Sequence, residues 1–410
     1  MVYTIKKLNS TDKLKILGET AKFDVCGFPS IFAQKKFQRF KFIYPAVGKN
    51  GRCVRLFKVL QSNACEGNCF YCANRKDRNF KRISFSPQEL SHLFIQYYKR
   101  RWVDGLFLSS AIHKSANFSE EEMFKTILYL RKKYGYRGYI HYKVLPGTDD
   151  ELVKRVAPLV DRLSINLEAT SDKYLSLLSP TKDFSHQLLS GLKKISNINK
   201  KKPLTAGITT QLVVGAAGEK DKEILNLSYQ LYKLYRVWRV YYSSFMPIID
   251  TPLENLSPSS PLREYRLYQA SFLLRGYGFT PEELFFDKNG NLPQRFDPKL
   301  AWAVYHPDNF PVEINKADFW QLLRVPGIGK ISAKRILRAR KDNKFTKFDQ
   351  LKFTGAVISR ARNFITLEGK FYPSFKKPVF SQLRKTSSQS RIDNLAPEKK
   401  NQQLFLWEEI

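Results

Sequence analysis

Between residues 53 and 250, short apolar segments alternate with longer amphipathic ones, and this alternation restricts the possible folds more than any other feature. The longer segments, such as 86–101 and 119–135, have the periodicity of helices, and Ser119 is expected to be the N-cap residue of the second. Six short segments have the length and composition of buried strands, and these lie at 53–60, 103–110, 138–145, 162–169, 206–215 and 239–246. Six such repeats predict an α/β fold with a parallel sheet, either partly closed as a barrel or open and doubly wound.

The composition of the chain changes at a few points that predict domain boundaries. Residues 1–50 form a basic and aromatic N-terminal extension, and 51–290 contain the repeats together with one trailing helix. A linker is expected at 291–319, followed by a compact basic helical region at 320–370. Residues 371–410 are polar and charged, as is typical of a disordered tail.

The charge of the chain is strongly positive. Among 410 residues there are 70 Lys and Arg against 37 Asp and Glu, which gives a formal net charge of +33. This excess predicts a polyanionic partner, either nucleic acid or an anionic membrane surface. The sequence has no signal peptide and no run that approaches the ~18 apolar residues of a membrane span. Five cysteines are too few, and odd in number, for a secreted disulfide framework, so a reducing cytoplasm is expected.

Three of the cysteines lie within eight positions, in the motif C-x3-C-x2-C formed by Cys65, Cys69 and Cys72. The motif directly follows the first predicted strand, and ligands of α/β proteins bind at the carboxyl ends of strands. Zinc prefers four closed protein ligands, or three with water, and a second cysteine pair is missing here. A [4Fe–4S] cluster fits better, because three thiolates leave one iron free for a substrate or cofactor. Zinc and incidental buried thiols stay open as alternatives.

With the aromatic Tyr71 directly before the last cysteine, the motif resembles the hallmark of the radical S-adenosylmethionine (SAM) superfamily. The resemblance implies a partial (β/α)6 barrel, a [4Fe–4S] cluster on the three cysteines, and SAM chelated to the free iron. It also implies one-electron cleavage of SAM to methionine and a 5′-deoxyadenosyl radical, which abstracts a hydrogen atom from the substrate. The electron would come from a donor such as flavodoxin or ferredoxin.

The resemblance further implies contacts with SAM at the carboxyl ends of the strands. Ser109 and Ser110 stand where the superfamily has a Gly-Gly-Glu-like segment. Asn166 and Glu168 share a face because alternate strand residues point the same way, although Glu168 could equally pair with a nearby lysine. The candidate SAM contacts are Tyr71, Ser109, Ser110, Asn166, Glu168, Gln211, Gly215 and Glu219.

A second motif, PGIGK at 326–330, interrupts two helical patterns. Its two glycines permit a tight turn, and the free N–H groups of the following helix suit a phosphate. A P-loop would need four residues before its Gly-Lys pair, and a dinucleotide fingerprint would need a third glycine in place of Ser332. The turn therefore resembles a helix-hairpin-helix DNA-binding motif, and a weaker copy at 348–365 turns at Thr354 and Gly355. The candidate contacts of the first turn are Val325, Gly327, Ile328, Gly329, Lys330, Lys334 and Arg335.

Residues 320–370 contain 13 Lys and Arg against 3 Asp and Glu, which favours contacts to a nucleic-acid backbone without sequence readout. Most of the chain resembles a bacterial family of radical SAM proteins assigned to DNA modification or repair, through segments such as GLFLSSAI and FPVEINKADFWQLLRVPGIGKISAKRIL. This resemblance implies a radical SAM barrel followed by a small all-α helix-hairpin-helix domain, a DNA substrate, and a uracil-DNA-glycosylase-like partner. An RNA-modifying radical SAM enzyme and a non-enzymatic, metal-stapled nucleic-acid-binding protein are the alternatives. The sequence identifies no catalytic acid, base or nucleophile.

Overall fold

The computed structural model describes residues 8–21, 42–47 and 53–373. Most of the predicted N-terminal extension and nearly all of the predicted tail lie outside these ranges. The described residues form two compact units. The first unit consists of residues 8–21, 42–47, 53–219 and 230–264, and the second of residues 220–229 and 265–373.

The first unit is built on a seven-stranded sheet in which the spatial order of the strands equals their order along the chain. The strands are β1 (Ile43–Val47), β2 (Cys53–Leu60), β3 (Gly105–Ser109), β4 (Tyr139–Lys143), β5 (Arg162–Ser164), β6 (Ile208–Val214) and β7 (Val237–Ser244). Strand β1 is antiparallel to β2, whereas β2 to β7 pair in parallel.

This strand order shows which of the two predicted types of sheet, the partial barrel or the doubly wound sheet, is present. A doubly wound sheet reverses its strand order at a switch point, and the sheet here runs in one direction from β1 to β7. Strands β1 and β7 are the two edges of the sheet, so the barrel is partial. The predicted barrel of six parallel strands is confirmed, and the antiparallel β1 is an addition that the sequence analysis did not predict.

Helices connect the strands, and none of the described helices is both long and apolar enough to cross a membrane. The helices up to residue 276 are α1 (Ser10–Thr20), α2 (Pro87–Lys99), α3 (Ala116–Leu128), α4 (Asp150–Val156), α5 (Asp172–Ser176), α6 (Ser190–Lys201), α7 (Asp221–Leu234) and α8 (Pro261–Gly276). A short π-helical segment, Tyr129–Lys133, continues α3.

The predicted N-cap of α3 is wrong, because the helix begins three residues before Ser119. Ser115 is the N-cap residue, and its hydroxyl accepts a hydrogen bond from the Phe118 N–H at 3.1 Å. The Ser119 hydroxyl instead bonds the backbone of His113, accepting from the N–H at 2.7 Å and donating to the carbonyl at 3.0 Å. Both serines precede acidic and apolar residues, so the local pattern alone could not choose between them.

Alternation along the strands gives the sheet two faces of different chemistry. The outer face is apolar and packs on the helices. On this face the ring of Phe57 lies 5.8 Å from that of Phe94 in α2, and the Tyr142 hydroxyl donates to the Glu120 carbonyl in α3 at 3.2 Å. The inner face carries polar and charged side chains, among them Lys58 and His141. Most of the hydrophobic core of the first unit therefore lies between the sheet and its helices, and a smaller apolar cluster that includes Leu56 and Phe107 lies on the inner face.

The second unit contains two helical hairpins and a small sheet. Its further helices are α9 (Pro298–Tyr305), α10 (Phe319–Arg324), α11 (Lys330–Ala339), α12 (Phe348–Lys352) and α13 (Ile358–Ala361). Its strands are β8 (Val312–Glu313), β9 (Ile365–Leu367) and β10 (Lys370–Phe371). Residues 291–319, predicted as a linker, thus contain a helix and a strand, and the region predicted to be all α includes β9 and β10. Strands of two or three residues are too short to show a period of two in the sequence.

Replacing Leu106 tests the position of the core. The Leu106 side chain lies on the outer face of β3 and is 0% exposed, so Leu106→Ala leaves a cavity against the helices. We expect the free energy of unfolding of the first unit to fall by about 2–5 kcal/mol, measured by urea denaturation. The matched change Leu234→Ala, at a side chain that is 58% exposed, should cost less than about 0.5 kcal/mol. Equal losses in the two variants would contradict this assignment of the core.

Candidate active site and nucleic-acid interface

The three cysteines lie on the loop that follows β2 and line one cavity of about 700 Å³ at the carboxyl ends of the strands. Each sulfur has a hydrogen-bonding neighbour. The Gly67 N–H donates to the Cys65 sulfur at 3.3 Å, and the Asn74 N–H donates to the Cys72 sulfur at 3.4 Å. The Cys69 sulfur lies 3.3 Å from the Ser179 hydroxyl. Hydrogen bonds to sulfur stabilise thiolate ligands, so the loop suits a metal–thiolate centre.

A [4Fe–4S] cluster and a single metal ion require different spacings of their thiolate ligands. Tetrahedral zinc would hold sulfurs about 3.8 Å apart, given its ligand distance of about 2.3 Å. In the part of the chain that the structure describes, no three His, Cys, Asp or Glu side chains come close enough to bind one ion. A [4Fe–4S] cube places each thiolate on a different iron, which requires a wider spacing. Burial, followed by the proximity of Cys69, raises the pKa of the Cys72 thiol to about 12, so metal binding must displace its proton.

Arg82 holds the cysteine loop in place. Its guanidinium donates five hydrogen bonds, all to backbone carbonyls of the loop, at 2.5–3.1 Å. The acceptors are the carbonyls of Asn63, Asn74, Arg75, Lys76 and Arg78. The same guanidinium lies 3.9 Å from the ring centroid of Phe80, which fixes its plane. Burial lowers the pKa of Arg82 and the nearby Cys65 and Cys72 sulfurs oppose this, so the cation also lies within the field of the thiol centre.

Glu168 also lines the cavity and is bound to a lysine. Its carboxylate accepts a hydrogen bond from Lys182 at 3.1 Å, and both side chains are largely buried. The backbone of Glu168 has a φ of +64°, a conformation that costs a residue with a side chain about 1–3 kcal/mol. Bonds to β6 hold it there, from the Glu168 N–H to the Gln211 carbonyl and from the Val213 N–H to the Glu168 carbonyl. The pairing with lysine that the sequence left open is therefore present.

Six of the eight predicted SAM contacts line this cavity. These are Tyr71, Ser109, Ser110, Asn166, Glu168 and Gln211. The hydroxyls of Ser109 and of Ser244, which also lines the cavity, are buried without a hydrogen-bond partner among the described residues. Buried hydroxyls in native proteins are normally bonded, so these two fit the polar groups of a bound cofactor.

The other two predicted SAM contacts, Gly215 and Glu219, do not line the cavity. They form a turn after β6 in which the Glu219 carboxylate accepts from the Gly215 N–H at 2.5 Å and from the Ala217 N–H at 3.3 Å. Gly215 has a φ of +93°, and a Cβ there would lie 2.6 Å from the Ser259 hydroxyl. The glycine is therefore required by the turn itself, and a SAM contact at these two positions stays a prediction.

The first hairpin turn joins α10 to α11. Val325 and Ile328 are buried and anchor the turn, so their side chains do not face outwards. Gly327 has a φ of +87°, and a Cβ there would lie 2.5 Å from the carbonyl oxygen of Val357. Gly329 is the N-cap of α11 and has no side chain of its own to cap the helix. Lys330 is the first helical residue, and Lys334 and Arg335 are exposed one turn further along, so positive charge collects at a helix N-terminus, where anions are favoured.

The second hairpin turn joins α12 to α13 and contacts the first. The Val357 N–H donates to the Gly327 carbonyl at 2.8 Å, and Arg335 donates to the Thr354 carbonyl at 3.4 Å. Gly355 has a φ of +87°, the same value as Gly327. The Thr354 hydroxyl is turned inwards and donates to the Leu351 carbonyl at 2.6 Å. The two turns thus form one surface, to which Thr354 contributes its backbone rather than its side chain.

Several cavity residues were missed by the sequence analysis. Lys182, Ser244 and Arg82 belong to segments without a recognisable motif, and their partners are distant in sequence or belong to the backbone. Two lysines on the inner face, Lys58 and Lys143, also line the cavity. A positive residue inside an otherwise apolar strand, as in CVRLFKVL, is the one signal that could have identified Lys58.

Comparison with known proteins identifies both parts of the chain. Residues 59–228 match the family model of the radical SAM superfamily, and residues 309–357 match that of the helix-hairpin-helix motif. The first range includes the cysteine loop and five of the parallel strands in full or in part, and the second includes both hairpin turns. No curated protein sequence matches the chain.

Solved structures resemble the chain at low identity. Methylornithine synthase is 14% identical over 53% of this chain and 60% of its own, with a TM-score of 0.42. The FeFe-hydrogenase maturase HydG from Carboxydothermus hydrogenoformans is 16% identical over 53% of this chain and 50% of its own, with a TM-score of 0.39. A radical SAM methyltransferase from Sphaerobacter thermophilus is 16% identical over 57% of this chain and 70% of its own, with a TM-score of 0.42. The chain spans less than two thirds of the first two proteins.

The family match and the site agree. The matched residues carry the three-cysteine loop, much of the lining of the cavity beside it, and five of the parallel strands in full or in part. Residues 59–228 are thus a radical SAM domain, the domain of an enzyme superfamily whose members use a [4Fe–4S] cluster and SAM, and the chain carries a helix-hairpin-helix motif towards its C-terminus.

Proposed function

We propose that the protein is a radical SAM enzyme that modifies or repairs a nucleic acid, and the hairpin motif favours DNA as that nucleic acid. The observation that carries the proposal is the presence, on one chain, of a three-cysteine cavity and of two helical hairpins that turn at Gly327 and Gly355 and carry exposed basic residues. The net charge of +33 supports a polyanionic partner. A structural metal staple is not favoured, because a staple would normally close all four metal positions.

Within the cavity the residues divide into ligands and positioning groups. Cys65, Cys69 and Cys72 would hold the cluster, and Ser109, Asn166 and Glu168 would orient SAM. When bound, the cluster and SAM supply a 5′-deoxyadenosyl radical that abstracts hydrogen from a substrate. Tyr71 and the surrounding buried side chains would exclude water from the thiol centre, which keeps a reactive site dry. An electron donor such as flavodoxin or ferredoxin would reduce the cluster.

The hairpins would bind the phosphate backbone. Two tight turns present backbone N–H groups, and Lys334 and Arg335 add positive charge, so the contacts position the nucleic acid without reading its sequence. A base stacked in a duplex would have to leave the stack before a radical could reach it. A uracil-DNA-glycosylase-like partner would be consistent with such a role in repair.

Removing one cysteine tests the cluster. In Cys69→Ala we expect the iron content to fall from about four per chain to background and SAM cleavage to be lost, because a cube needs its three thiolates. Iron analysis and electron paramagnetic resonance of the reduced, anaerobically purified protein, with and without SAM, measure this. Cys53→Ala is the matched control and should keep the cluster. A Cys69→Ala protein that still cleaves SAM would refute the assignment.

Replacing Arg82 tests the clamp, by which we mean the hydrogen bonds that its guanidinium donates to the carbonyls of the cysteine loop. Lysine has three donors on a point charge and cannot reproduce five bonds from a planar guanidinium. We expect Arg82→Lys to weaken cluster retention about 10–100-fold, the usual effect of losing a group that orients metal ligands. The measurement is iron retained during a chelator titration, with the exposed Arg137→Lys as control. Retention equal to that of the unmodified protein would show that the clamp does not support the cluster.

Neutralising Lys334 tests the hairpins. Lys334→Met should weaken duplex DNA binding uniformly across sequences and reduce the slope of log affinity against log salt by about one, because one phosphate contact is lost. Fluorescence anisotropy across a salt series measures the slope. Lys132→Met, an exposed lysine of the first unit, should leave it unchanged. Binding of folded RNA in preference to duplex DNA, with the same dependence on Lys334, would change the proposed substrate to RNA.

A further inference from the structure

The second hairpin carries a phenylalanine whose side chain is almost wholly exposed. Phe353 directly follows α12 and is 88% exposed, a larger fraction than for any other large apolar side chain that the structure describes. Its ring contacts neither another ring nor a cation among the described residues. The ring therefore contributes little to the packing of its own unit, and its replacement should cost little stability.

The first hairpin shows the equivalent position in a packing role. Gly327 and Gly355 occupy the same place in the two turns, each with a φ of +87°. Two residues before the glycine, the first hairpin has Val325, which is 0% exposed, and the second has Phe353. Two other apolar positions are buried in both hairpins, namely Leu323 with Leu351 and Ile328 with Ala356. The second hairpin thus keeps two of these three anchors and exposes the third.

The backbone explains why Phe353 is exposed. Val325 follows α10 in an extended conformation, with a φ of −70° and a ψ of 123°. Phe353 instead continues the helical conformation of α12, with a φ of −65° and a ψ of −19°. A helical and an extended residue place their side chains differently relative to the chain that follows. The exposure of the ring therefore belongs to the backbone of the second hairpin, beyond the choice of one rotamer.

Basic residues lie close to the turn that carries the ring. The carbonyl of Thr354, the next residue, accepts a hydrogen bond from the exposed Arg335 of α11 at 3.4 Å. A Cβ at Gly355 would lie 3.5 Å from the same guanidinium nitrogen. The exposed Lys347 is the N-cap residue of α12. An aromatic ring near cations fits a nucleic acid, whose bases stack on rings while its phosphates meet the positive charges.

The size of a stacking contact decides which form of nucleic acid suits a single ring. Stacking of one base on one aromatic side chain contributes about 5- to 100-fold in affinity. Opening one step of an intact duplex costs a comparable amount, so insertion into a perfect duplex gains little. A base that is already unpaired costs the least to bring onto the ring. The ring therefore favours a duplex that contains an unpaired base, which we call an interrupted duplex.

We propose that Phe353 stacks on an unpaired base of the nucleic acid that the hairpins bind, so that the protein prefers an interrupted duplex to a perfect one. This inference rests on the proposed nucleic-acid function and narrows its substrate. The hairpin turns hold the backbone whatever the sequence, and Phe353 adds a contact that an unpaired base makes and a paired base does not.

Fluorescence anisotropy of the full-length protein with two DNA duplexes tests the proposal. The duplexes differ by one unpaired adenine at the centre, and the interrupted duplex should bind about 10-fold more tightly at constant ionic strength. Phe353→Ala should remove this preference and leave both the affinity for the perfect duplex and the midpoint of thermal unfolding unchanged. Phe353→Trp should keep the preference. Phe118→Ala, at a side chain of the first unit that is 39% exposed, is the control and should have no effect.

Three results would overturn the proposal. The first is equal affinity of the unmodified protein for the two duplexes, and the second is a preference that survives Phe353→Ala. The third is a Phe353→Ala protein that loses self-association in sedimentation experiments and keeps its preference, which would assign the ring to a contact between two copies of the chain. Duplex binding that depends on Lys334 is measured in the same preparations. Its persistence without a preference for the unpaired base rejects this inference and spares the proposed function, whereas the loss of both rejects the two together.

Discussion

All the chemistry of the first unit depends on the one-directional order of its parallel strands. Because β2 to β7 run the same way and follow chain order, every loop after a strand emerges at the same edge of the sheet. The cysteine loop follows β2, Ser109 ends β3, and Glu168 follows β5, so residues far apart in sequence line one cavity. In a doubly wound sheet the strand order reverses at a switch point, and the loops on either side of that point turn away from one another. The topology of the backbone therefore determines which loops line the site.

The two faces of the same sheet contribute differently to stability and to the lining of the cavity. Its outer face supplies the apolar core, where Leu106 and Phe57 are fully buried against helices. Its inner face is mixed: Leu56 and Phe107 form an apolar cluster there, whereas Lys58, His141 and Arg239 are polar or charged and buried. Burying polar and charged groups costs free energy, so the apolar packing on both faces must offset that cost.

Much of this could be predicted from the sequence, and the failures have physical reasons. The six parallel strands contain enough apolar and β-branched residues for composition to identify each of them, and cysteine spacing identified the loop that lies within the radical SAM match. Strand β1 was missed because it is a short edge strand that contains Pro45. The Glu168–Lys182 pair and the Arg82 clamp depend on tertiary contacts and on backbone carbonyls, which leave no periodic signal. Gly215 and Glu219 form a turn whose geometry by itself accounts for the glycine and the carboxylate, and their role as SAM contacts stays a prediction.

The two hairpin turns show how a local steric requirement can define a binding surface. At both Gly327 and Gly355 the φ is +87°, which disfavours any residue with a side chain. At Gly327 a Cβ would also collide with the Val357 carbonyl, and the Val357 N–H bonds the Gly327 carbonyl. The contact that joins the hairpins is thus made by the backbone of the glycine turn, so a residue with a side chain at Gly327 would disturb the packing of the pair. The phosphate contact proposed for these turns would therefore depend on the same glycines that allow the two hairpins to pack.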